Sequence, residues 1–311
     1  MIFHPLTNIR RHPTEEWDVA FSQMDELYAD FEALELSKLA SSRIRAYRDA
    51  FTWLSSMMKG KNLKNGKDKT HLANAEKMLH AIVEFHQIRT IVEASRISAN
   101  SESWRTQLKR LISGTPFQKN QAQQNSARDF QFESYLGAVC ELSGYQVVFE
   151  EPDLMIRDNL IQFGLAAKRP KNPRKIETNY RKAARQIKHS GSPGLIALDL
   201  SMALYCDKCI NTNELEGATA FVELAIDHFR ESSQHWLQAS YRDSQIFGVL
   251  ITLHLPVLKF GHAVAAQLAS ATRWELILNC EPTDPRFQWG IDFASRCEQG
   301  LFGPRKPNEF E

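Results

Sequence analysis

Apolar residues recur at helical spacing through most of the first hundred positions. Over residues 17–39 they fall three or four positions apart, and the same spacing returns over residues 44–58 and 72–97. This spacing places apolar side chains on one face of a helix. The sequence therefore predicts an α-helical domain over residues 1–113, which would bind DNA, a partner protein or a second copy of the chain. A stretch rich in Gln and Asn, residues 114–126, is predicted to be a linker.

The pattern changes after residue 127, where short apolar runs alternate with longer helical stretches. Runs of this length, bounded by turn residues, are typical of buried strands. They occupy residues 146–149, 154–156, 160–167, 195–200, 247–253 and 274–279. Because these strands alternate with helices, residues 127–311 are predicted to form an α/β domain.

Turn chemistry between two of these runs predicts a β-hairpin. Residues 157–160 include an Asp-Asn pair, and both residue types tolerate the positive φ of a tight turn. If that pair forms a two-residue loop, Asp153 lies opposite Gly164 and Glu151 lies opposite Ala166. Residues two apart on a strand share a face, so both acids would lie on the face of the lysine that ends the second strand.

Composition and charge bound the class of protein. The chain has 311 residues, of which 43% are hydrophobic and 24% charged, and its formal net charge is +1. These values are ordinary for a globular protein and allow for two domains. The longest apolar run, residues 248–260, is too short to span a membrane, and residues 1–11 lack the apolar core of a signal peptide. With five cysteines and no secretory signal, the sequence predicts a cytoplasmic protein with reduced thiols.

Basic residues concentrate between Lys168 and Lys188, where Glu177 is the single acid. Such a concentration attracts phosphate groups through charge neutralisation and counterion release. The candidates for nucleic-acid binding are Arg169, Lys171, Arg174, Lys175, Arg181, Lys182 and Arg185. A solvated helix face is the alternative interpretation of the same residues.

Candidate chemistry lies in the same part of the chain. In order, residues 127–200 present a helix with Glu133, Asp153 after a proline, Lys168 at the end of the second hairpin strand, a helix with Gln186 and a further strand. This succession resembles the helix–strand–strand–strand–helix–strand core of the PD-(D/E)XK nuclease superfamily, over about a quarter of the chain. The resemblance implies a restriction-endonuclease-like mixed sheet flanked by helices and preceded by the N-terminal helical domain.

The resemblance also implies a role for each of these residues. Asp153 matches the metal-binding aspartate, and Lys168 matches the lysine that orients or activates the attacking water. Glu133 matches a helix acid that many members use as an extra metal ligand, and Gln186 matches a polar residue that faces the site. Taken without the resemblance, Lys168 would be a solvent-facing residue at a strand end, Asp153 a turn residue and Glu133 part of a solvated helix face.

One position departs from the superfamily pattern. The glutamate expected two residues before the lysine is Ala166. The backbone carbonyl of Ala167 would be the superfamily's additional metal ligand. Mg²⁺ prefers oxygen ligands, so another carboxylate would replace the missing one, with Glu133 as the first choice and Glu151 as the second.

Two functions of different classes follow from the resemblance. The first is a Mg²⁺- or Mn²⁺-dependent nuclease that hydrolyses phosphodiester bonds of double-stranded DNA, in defence against foreign DNA or in repair. The second is a catalytically inert nuclease fold that binds nucleic acid or a partner protein. Ala166 favours the second function, and the joint presence of Asp153 and Lys168 favours the first.

Overall fold

A computed structural model gives the architecture of the chain. It describes residues 2–6, 17–34, 36, 39–58, 84–99, 101–113, 126–205, 210–212, 215–240, 245–259 and 267–302. The helices are α1 (Trp17–Ala33), α2 (Arg43–Met58), α3 (84–97), α4 (Ser101–Ile112), α5 (Ser126–Leu142), α6 (Ile176–Ser190), α7 (Ser201–Tyr205), α8 (Leu215–Ser240) and α9 (Pro285–Phe302). The strands are β1 (Ile2–Leu6), β2 (Gln146–Val148), β3 (Leu154–Arg157), β4 (Gln162–Lys168), β5 (Gly194–Asp199), β6 (Ile210–Thr212), β7 (Ile246–Lys259) and β8 (Gln267–Leu278).

The strands form a mixed eight-stranded sheet in the order β1-β8-β7-β5-β4-β3-β2, with β6 beside the far end of β7. Strands β4, β5 and β7 run parallel, whereas β3 and β8 run antiparallel to the strands beside them. The carboxyl ends of β4 and β5 therefore share one edge with the amino end of β3. Ligand sites in open α/β sheets form outside the carboxyl ends of the parallel strands. Candidate site residues are expected at this edge.

Alternating side chains divide the sheet into two packed faces. On one face, Leu154 and Leu165 belong to a core that includes residues of α1 to α5 and α9. On the other face, Ala166 and Ile196 belong to a core that includes residues of α6 and α8. The fold is therefore three-layered, and neighbouring residues of β4 point into different layers.

The N-terminal helices share a core with the sheet. Phe31 of α1, Ile91 of α3 and Leu111 of α4 belong to the same buried cluster as Phe132 of α5 and Phe163 of β4. Strand β1 precedes these helices and pairs with β8, so the first described residues join the sheet. The prediction that the first hundred residues are helical is wrong for β1, because its hydrogen-bonding partner lies at the other end of the chain.

A buried polar network fixes these helices to one another. Glu84 of α3 lies between two buried arginines: its Oε2 is 3.1 Å from Arg43 Nη1, and its Oε1 accepts a 2.5 Å hydrogen bond from Arg128 Nε. Tyr47 also donates to this carboxylate, and Arg43 Nη2 donates to Gln131 Oε1 at 2.5 Å. Burial alone would raise the pKa of Glu84, but the arginines outweigh burial and lower the pKa to about 2. The network thus defines how α2, α3 and α5 meet.

The loop of the β3–β4 hairpin is longer than predicted. Arg157 pairs with Gln162, so the loop spans residues 158–161. Asp158 Oδ1 accepts the backbone N–H groups of the last two loop residues, at 2.8 and 2.9 Å. These two hydrogen bonds stabilise the longer loop in place of a two-residue turn.

The longer loop changes the pairing of the candidate aspartate. Leu154 pairs with Leu165, and continuing this pattern by one residue places Asp153 opposite Ala166. The predicted pairing of Asp153 with Gly164 is therefore wrong. Because the shift is two residues, Asp153 still lies on the predicted face of the sheet.

The predicted fold class is confirmed at the level of an α/β fold with a mixed sheet, flanking helices and N-terminal helices. The six predicted strand runs correspond to β2, β3, β4, β5, β7 and β8. The predicted linker lies outside the described residues, except that residue 126 begins α5, and the predicted helical residues 72–83 lie outside them as well. Within the described ranges, no helix is long and apolar enough to cross a membrane.

Candidate functional site

A tight turn brings Asp153 to the carboxyl edge of the sheet. The turn between β2 and β3 contains Pro152, which is buried over Gly164 of β4. A Cβ atom at Gly164 would lie 2.7 Å from Pro152 Cγ, so glycine is the residue that admits the proline ring here. Asp153 leaves this turn with its carboxylate directed at the last residues of β4.

The side chain of Lys168 meets Asp153 at this edge. Lys168 Nζ lies 2.7 Å from Asp153 Oδ2, and the two side chains are 17% and 18% exposed. The ammonium also donates to the backbone carbonyl of Ala167 at 2.8 Å, and the Ala167 N–H donates to Asp153 Oδ2 at 2.8 Å. The structure thus brings the predicted aspartate, lysine and backbone carbonyl together. A solvent-facing lysine and an isolated turn aspartate do not describe this geometry.

Gln186 of α6 supports Asp153 from the neighbouring layer. Its Nε2 donates to the Pro152 carbonyl at 2.8 Å and to Asp153 Oδ1 at 3.2 Å. Helix α6 reaches this point because its buried residues, among them Ala183 and Ile187, pack on the sheet. Both carboxylate oxygens of Asp153 therefore accept hydrogen bonds from the protein, which fixes the orientation of the carboxylate.

Glu133 of α5 places a second carboxylate near this cluster. Its side chain is partly buried. Burial, and next the negative charge of Asp153, raise the pKa of Glu133 to about 7 against the opposing charges of Lys168 and Arg110. A carboxyl group with this pKa exchanges its proton near neutral pH, and a further cation beside it would favour its charged form.

Asp129 is a further acid on α5 that the sequence analysis did not single out. It lies on α5 one turn before Glu133, and residues four apart share a helix face. Asp129 Oδ2 lies 3.6 Å from Lys171 Nζ. Burial raises the pKa of Asp129, and the charges of Lys171, Arg169 and Lys168 oppose that effect. The four-residue spacing to Glu133 was the available signal in the sequence.

Position 166, where the superfamily pattern has a glutamate, is buried by the packing of α6 on the sheet. Ala166 is fully buried in the core beneath α6. Glu151, the second choice to replace the glutamate, is exposed in the turn before β3. Within the described residues, no hydrogen bond or ion pair joins Glu151 to Asp153 or Lys168. The predicted register that placed Glu151 opposite Ala166 is wrong, so Glu133 is the predicted acid that accompanies Asp153.

Arg169 lies inside the protein and not on its surface. Its side chain is 4% exposed, and its Nε lies 2.9 Å from Oδ2 of the buried Asp199. Its Nη1 also donates to the backbone carbonyl of Arg128 at 3.3 Å. Neighbouring strand residues point to opposite faces, so Arg169 turns away from the layer that Lys168 faces. The prediction that Arg169 contacts nucleic acid is therefore wrong; it ties the end of β4 to β5 and α5.

The other predicted basic residues remain at or near the surface. Lys171 pairs with Asp129, and Arg181 pairs with Glu177 one turn away on α6. Lys182 lies one turn before Gln186 and therefore on the same side of α6. The exposed members of the set are Arg174, Lys175, Arg181, Lys182 and Arg185. Lys182 is thus the basic residue on the side of α6 that borders Asp153.

A buried Asp199, Ser201 and His254 cluster resembles a hydrolase triad in composition but not in geometry. Ser201 Oγ donates to Asp199 and accepts the backbone N–H of His254 at 2.9 Å. The His254 ring instead contacts Thr272 Oγ1 at 3.1 Å, and burial lowers the His254 pKa to about 4. Because the imidazole does not join the serine to the aspartate, these residues hold the sheet edge together and form no nucleophile.

A cavity of about 480 Å³ lies away from this cluster, between the start of α6 and α8. Ile176, Phe229 and Trp236 contribute to its lining, and Arg174 is the predicted site residue that reaches it. None of its lining residues belongs to the Asp153 cluster. The candidate chemistry therefore lies at the sheet edge between α5 and α6, here termed the cleft, and not in this cavity.

The donor atoms of the cleft determine whether it suits a divalent cation. Asp153, Glu133 and the carbonyl of Ala167 supply oxygen atoms, and Mg²⁺ is usually held by one or two carboxylates together with water and substrate phosphates. Among the residues that the structure describes, no group of three or more His, Cys, Asp or Glu side chains forms a metal cluster. The Lys168 ammonium already contacts Asp153 Oδ2 and the Ala167 carbonyl, so these oxygens accept a cation in the observed geometry. The types of oxygen donor therefore suit Mg²⁺, although the Lys168 ammonium contacts two of the oxygens that such an ion would use.

Comparison with known proteins gives no match. No family model matches the chain, and neither a curated protein nor a solved structure matches it. The functional inference therefore depends on the geometry of the cleft.

Proposed function

We propose that the chain is a metal-dependent nuclease of the PD-(D/E)XK type, which hydrolyses phosphodiester bonds of double-stranded DNA in defence against foreign DNA or in repair. The observation that carries the proposal is the convergence of Asp153, Lys168 and Gln186 from a turn, a strand end and a helix. The element order α5-β2-β3-β4-α6-β5 supports it, because it matches the order of the superfamily core. The exposed basic side chains of α6 support DNA as the substrate.

Lys168 is the side chain that would contact the scissile phosphate. Its ammonium has three N–H donors, and Asp153 and the Ala167 carbonyl each accept from it. The remaining donor would stabilise negative charge that develops on the phosphate. Gln186 keeps the Asp153 carboxylate in the orientation that this arrangement needs.

Glu133 is the side chain suited to joining Asp153 as a metal ligand. Burial and the charge of Asp153 raise its pKa to about 7, and a cation beside it would favour the charged form that a ligand needs. A Mg²⁺ or Mn²⁺ ion held by Asp153, Glu133 and the Ala167 carbonyl would supply an activated water and charge stabilisation at the phosphate. The reduced thiols of Cys140, Cys280 and Cys297 support a cytoplasmic location for this reaction.

An inert nuclease fold that binds nucleic acid or a partner protein is the second candidate function. It is favoured by the buried Ala166 opposite Asp153, where the superfamily carries a glutamate. The ion pair of Lys168 with Asp153 also favours it, because the ammonium contacts oxygens that a metal ion would need.

Cleavage of plasmid and linear DNA, with Mg²⁺ or Mn²⁺ and with EDTA as the blank, separates these functions. For the nuclease, we expect metal-dependent cleavage that falls at least about 100-fold in Lys168→Ala, the usual effect of removing a donor to a developing oxyanion. Asp153→Asn and Glu133→Gln should also abolish cleavage while DNA affinity stays nearly unchanged.

Lys188→Ala is the matched control. Lys188 is an exposed lysine near the end of α6. It lies two positions after Gln186 and therefore on the opposite side of the helix. It should cleave at the wild-type rate. Wild-type protein that binds DNA without cleaving it under any of these conditions would establish the inert fold instead.

A further inference from the structure

Helix α4 brings an arginine to the cleft from the N-terminal helices. Trp104, Leu108 and Leu111 are buried along one side of α4. Arg110 remains exposed at the edge of that buried side. Its guanidinium carbon lies 4.8 Å from the centroid of the Phe130 ring on α5. Arg110 is therefore held against the helix that carries the candidate acid.

The position of Phe130 places Arg110 beside the cleft. Phe130 lies three residues before Glu133, so the two side chains are neighbours on α5. The positive charge of Arg110 acts on Glu133 and favours its charged form. Arg110 and Lys182 thus approach the cleft from opposite layers of the fold, since α4 belongs to the core on one face of the sheet and α6 to the core on the other.

The guanidinium of Arg110 is suited to a phosphate. A planar guanidinium that stacks on an aromatic ring keeps its N–H edge available for two parallel hydrogen bonds to phosphate oxygens. Within the described part of the chain, Arg110 forms no ion pair, whereas Arg96, Arg157 and Arg296 each pair with a carboxylate. An exposed arginine beside an acidic cleft, without a carboxylate of its own, is positioned for an anion from outside the protein.

We propose that Arg110 binds a backbone phosphate of the nucleic-acid substrate and, with Lys182, holds the substrate strand across the cleft between α4 and α6. This proposal depends on the proposed nuclease function and assigns substrate binding to the N-terminal helices. The phosphate bound by Arg110 lies on the Glu133 side of the scissile position. The phosphate bound by Lys182 lies on the Gln186 side.

The salt dependence of DNA binding tests this assignment. Fluorescence anisotropy with labelled duplex DNA in EDTA gives the slope of log affinity against log salt for each variant. We expect Arg110→Gln to reduce the magnitude of the slope by about 0.9, the value for one lost phosphate contact on duplex DNA. Arg110→Lys, which keeps the charge, should recover most of the slope.

Arg105→Gln is the matched control on the same helix. Arg105 is exposed like Arg110, but it lies on the other edge of α4 and donates to the Leu34 carbonyl at 3.3 Å. Its slope should equal that of the wild type, and equal melting temperatures for the two glutamine variants would show that both remain folded.

The outcomes distinguish a failure of the Arg110 assignment from a failure of the proposed nuclease function. An unchanged slope in Arg110→Gln, with a wild type that binds DNA, overturns the assignment of Arg110 and leaves the proposed nuclease intact. Equal losses in Arg110→Gln and Arg105→Gln overturn it as well, because they show a general charge effect. A wild type that binds no DNA overturns both proposals.

Discussion

Position 166 is where the residue type and the site geometry conflict most directly. Ala166 lies opposite Asp153 and two residues before Lys168, on the face of the sheet that α6 covers. A carboxylate at this position would share the surroundings of Asp153, and a single ammonium would then face two buried acids. The alanine avoids that repulsion.

Ala166→Glu should make the stability of the protein depend on a divalent cation. In EDTA we expect a loss of roughly 3 kcal/mol or more in the free energy of unfolding, because the new charge is buried without a partner. Excess Mg²⁺ should restore part of that loss by supplying the missing positive charge. Urea denaturation in EDTA and in Mg²⁺ measures both effects.

The uncharged variant Ala166→Gln separates charge from size. It should lose stability through overpacking alone, by about 1–3 kcal/mol, and by the same amount in EDTA and in Mg²⁺. If Mg²⁺ stabilises the two variants equally, no divalent cation binds beside Asp153.

At the scale of elements, α6 presents different chemistry on each side. Its buried side packs on the sheet through Ile176, Tyr180, Ala183 and Ile187. The side with Gln186 borders Asp153, and Lys182 extends that side by one turn. Lys182 is therefore the basic residue one turn before Gln186 that the proposed nucleic-acid substrate would contact.

We expect the lysines of α6 to contribute unequally to DNA binding. Lys182→Ala should weaken the affinity and reduce the salt slope by about 0.9 for duplex DNA. Lys188→Ala removes the same charge from the other side of the helix and should leave the slope within error of the wild type. The comparison uses one salt titration for each variant. Equal effects of the two substitutions would show that net charge, and not the position beside Gln186, governs binding.

At the scale of the whole molecule, the shared core joins the N-terminal helices to the sheet. Met24 and Phe85 lie in one buried cluster with Leu276 of β8, and Glu84 bridges Arg43 and Arg128 beneath them. Removing Glu84 would leave two buried arginines without this carboxylate, at a cost of about 3–5 kcal/mol. The helices therefore stabilise α5, which carries Glu133.

We expect the chain to unfold in a single cooperative transition. Because the helices and the sheet share their apolar core, neither part keeps its buried surface when the other unfolds. Differential scanning calorimetry should give a calorimetric enthalpy equal to the van't Hoff enthalpy. Two resolved transitions, one of which survives in protein cut between residues 113 and 126, would instead show that residues 1–113 form an independent domain.

Local patterns in the sequence predicted much of the fold. Helical spacing located α1 and α2, and apolar runs located β4, β5 and β7, because both signals depend on side chains a few positions apart. The pairing of β1 with β8 was not predictable, since it joins segments more than two hundred residues apart. The loop over residues 158–161 was missed because the acceptor role of Asp158 depends on the backbone conformation it stabilises.

The candidate site residues could be predicted where the order of strands and helices alone determines the position of a side chain. Asp153, Lys168 and Gln186 meet because strand ends and the following helix place them at one edge. The burial of Arg169 follows from strand alternation, and the basic run of the sequence obscured that signal. Arg110 carried no local signal at all, because its place beside the cleft depends on how α4 packs against α5.

The ion pair between Lys168 and Asp153 has a consequence for folding. Because an ammonium of the same chain neutralises the aspartate, we expect newly made protein to reach its native state without a divalent ion. Zinc fingers and many small metallo-domains, in contrast, fold only when their metal binds. A chelator added to this protein should therefore leave its circular dichroism spectrum intact, and for the proposed nuclease the supply of metal would limit cleavage and not folding.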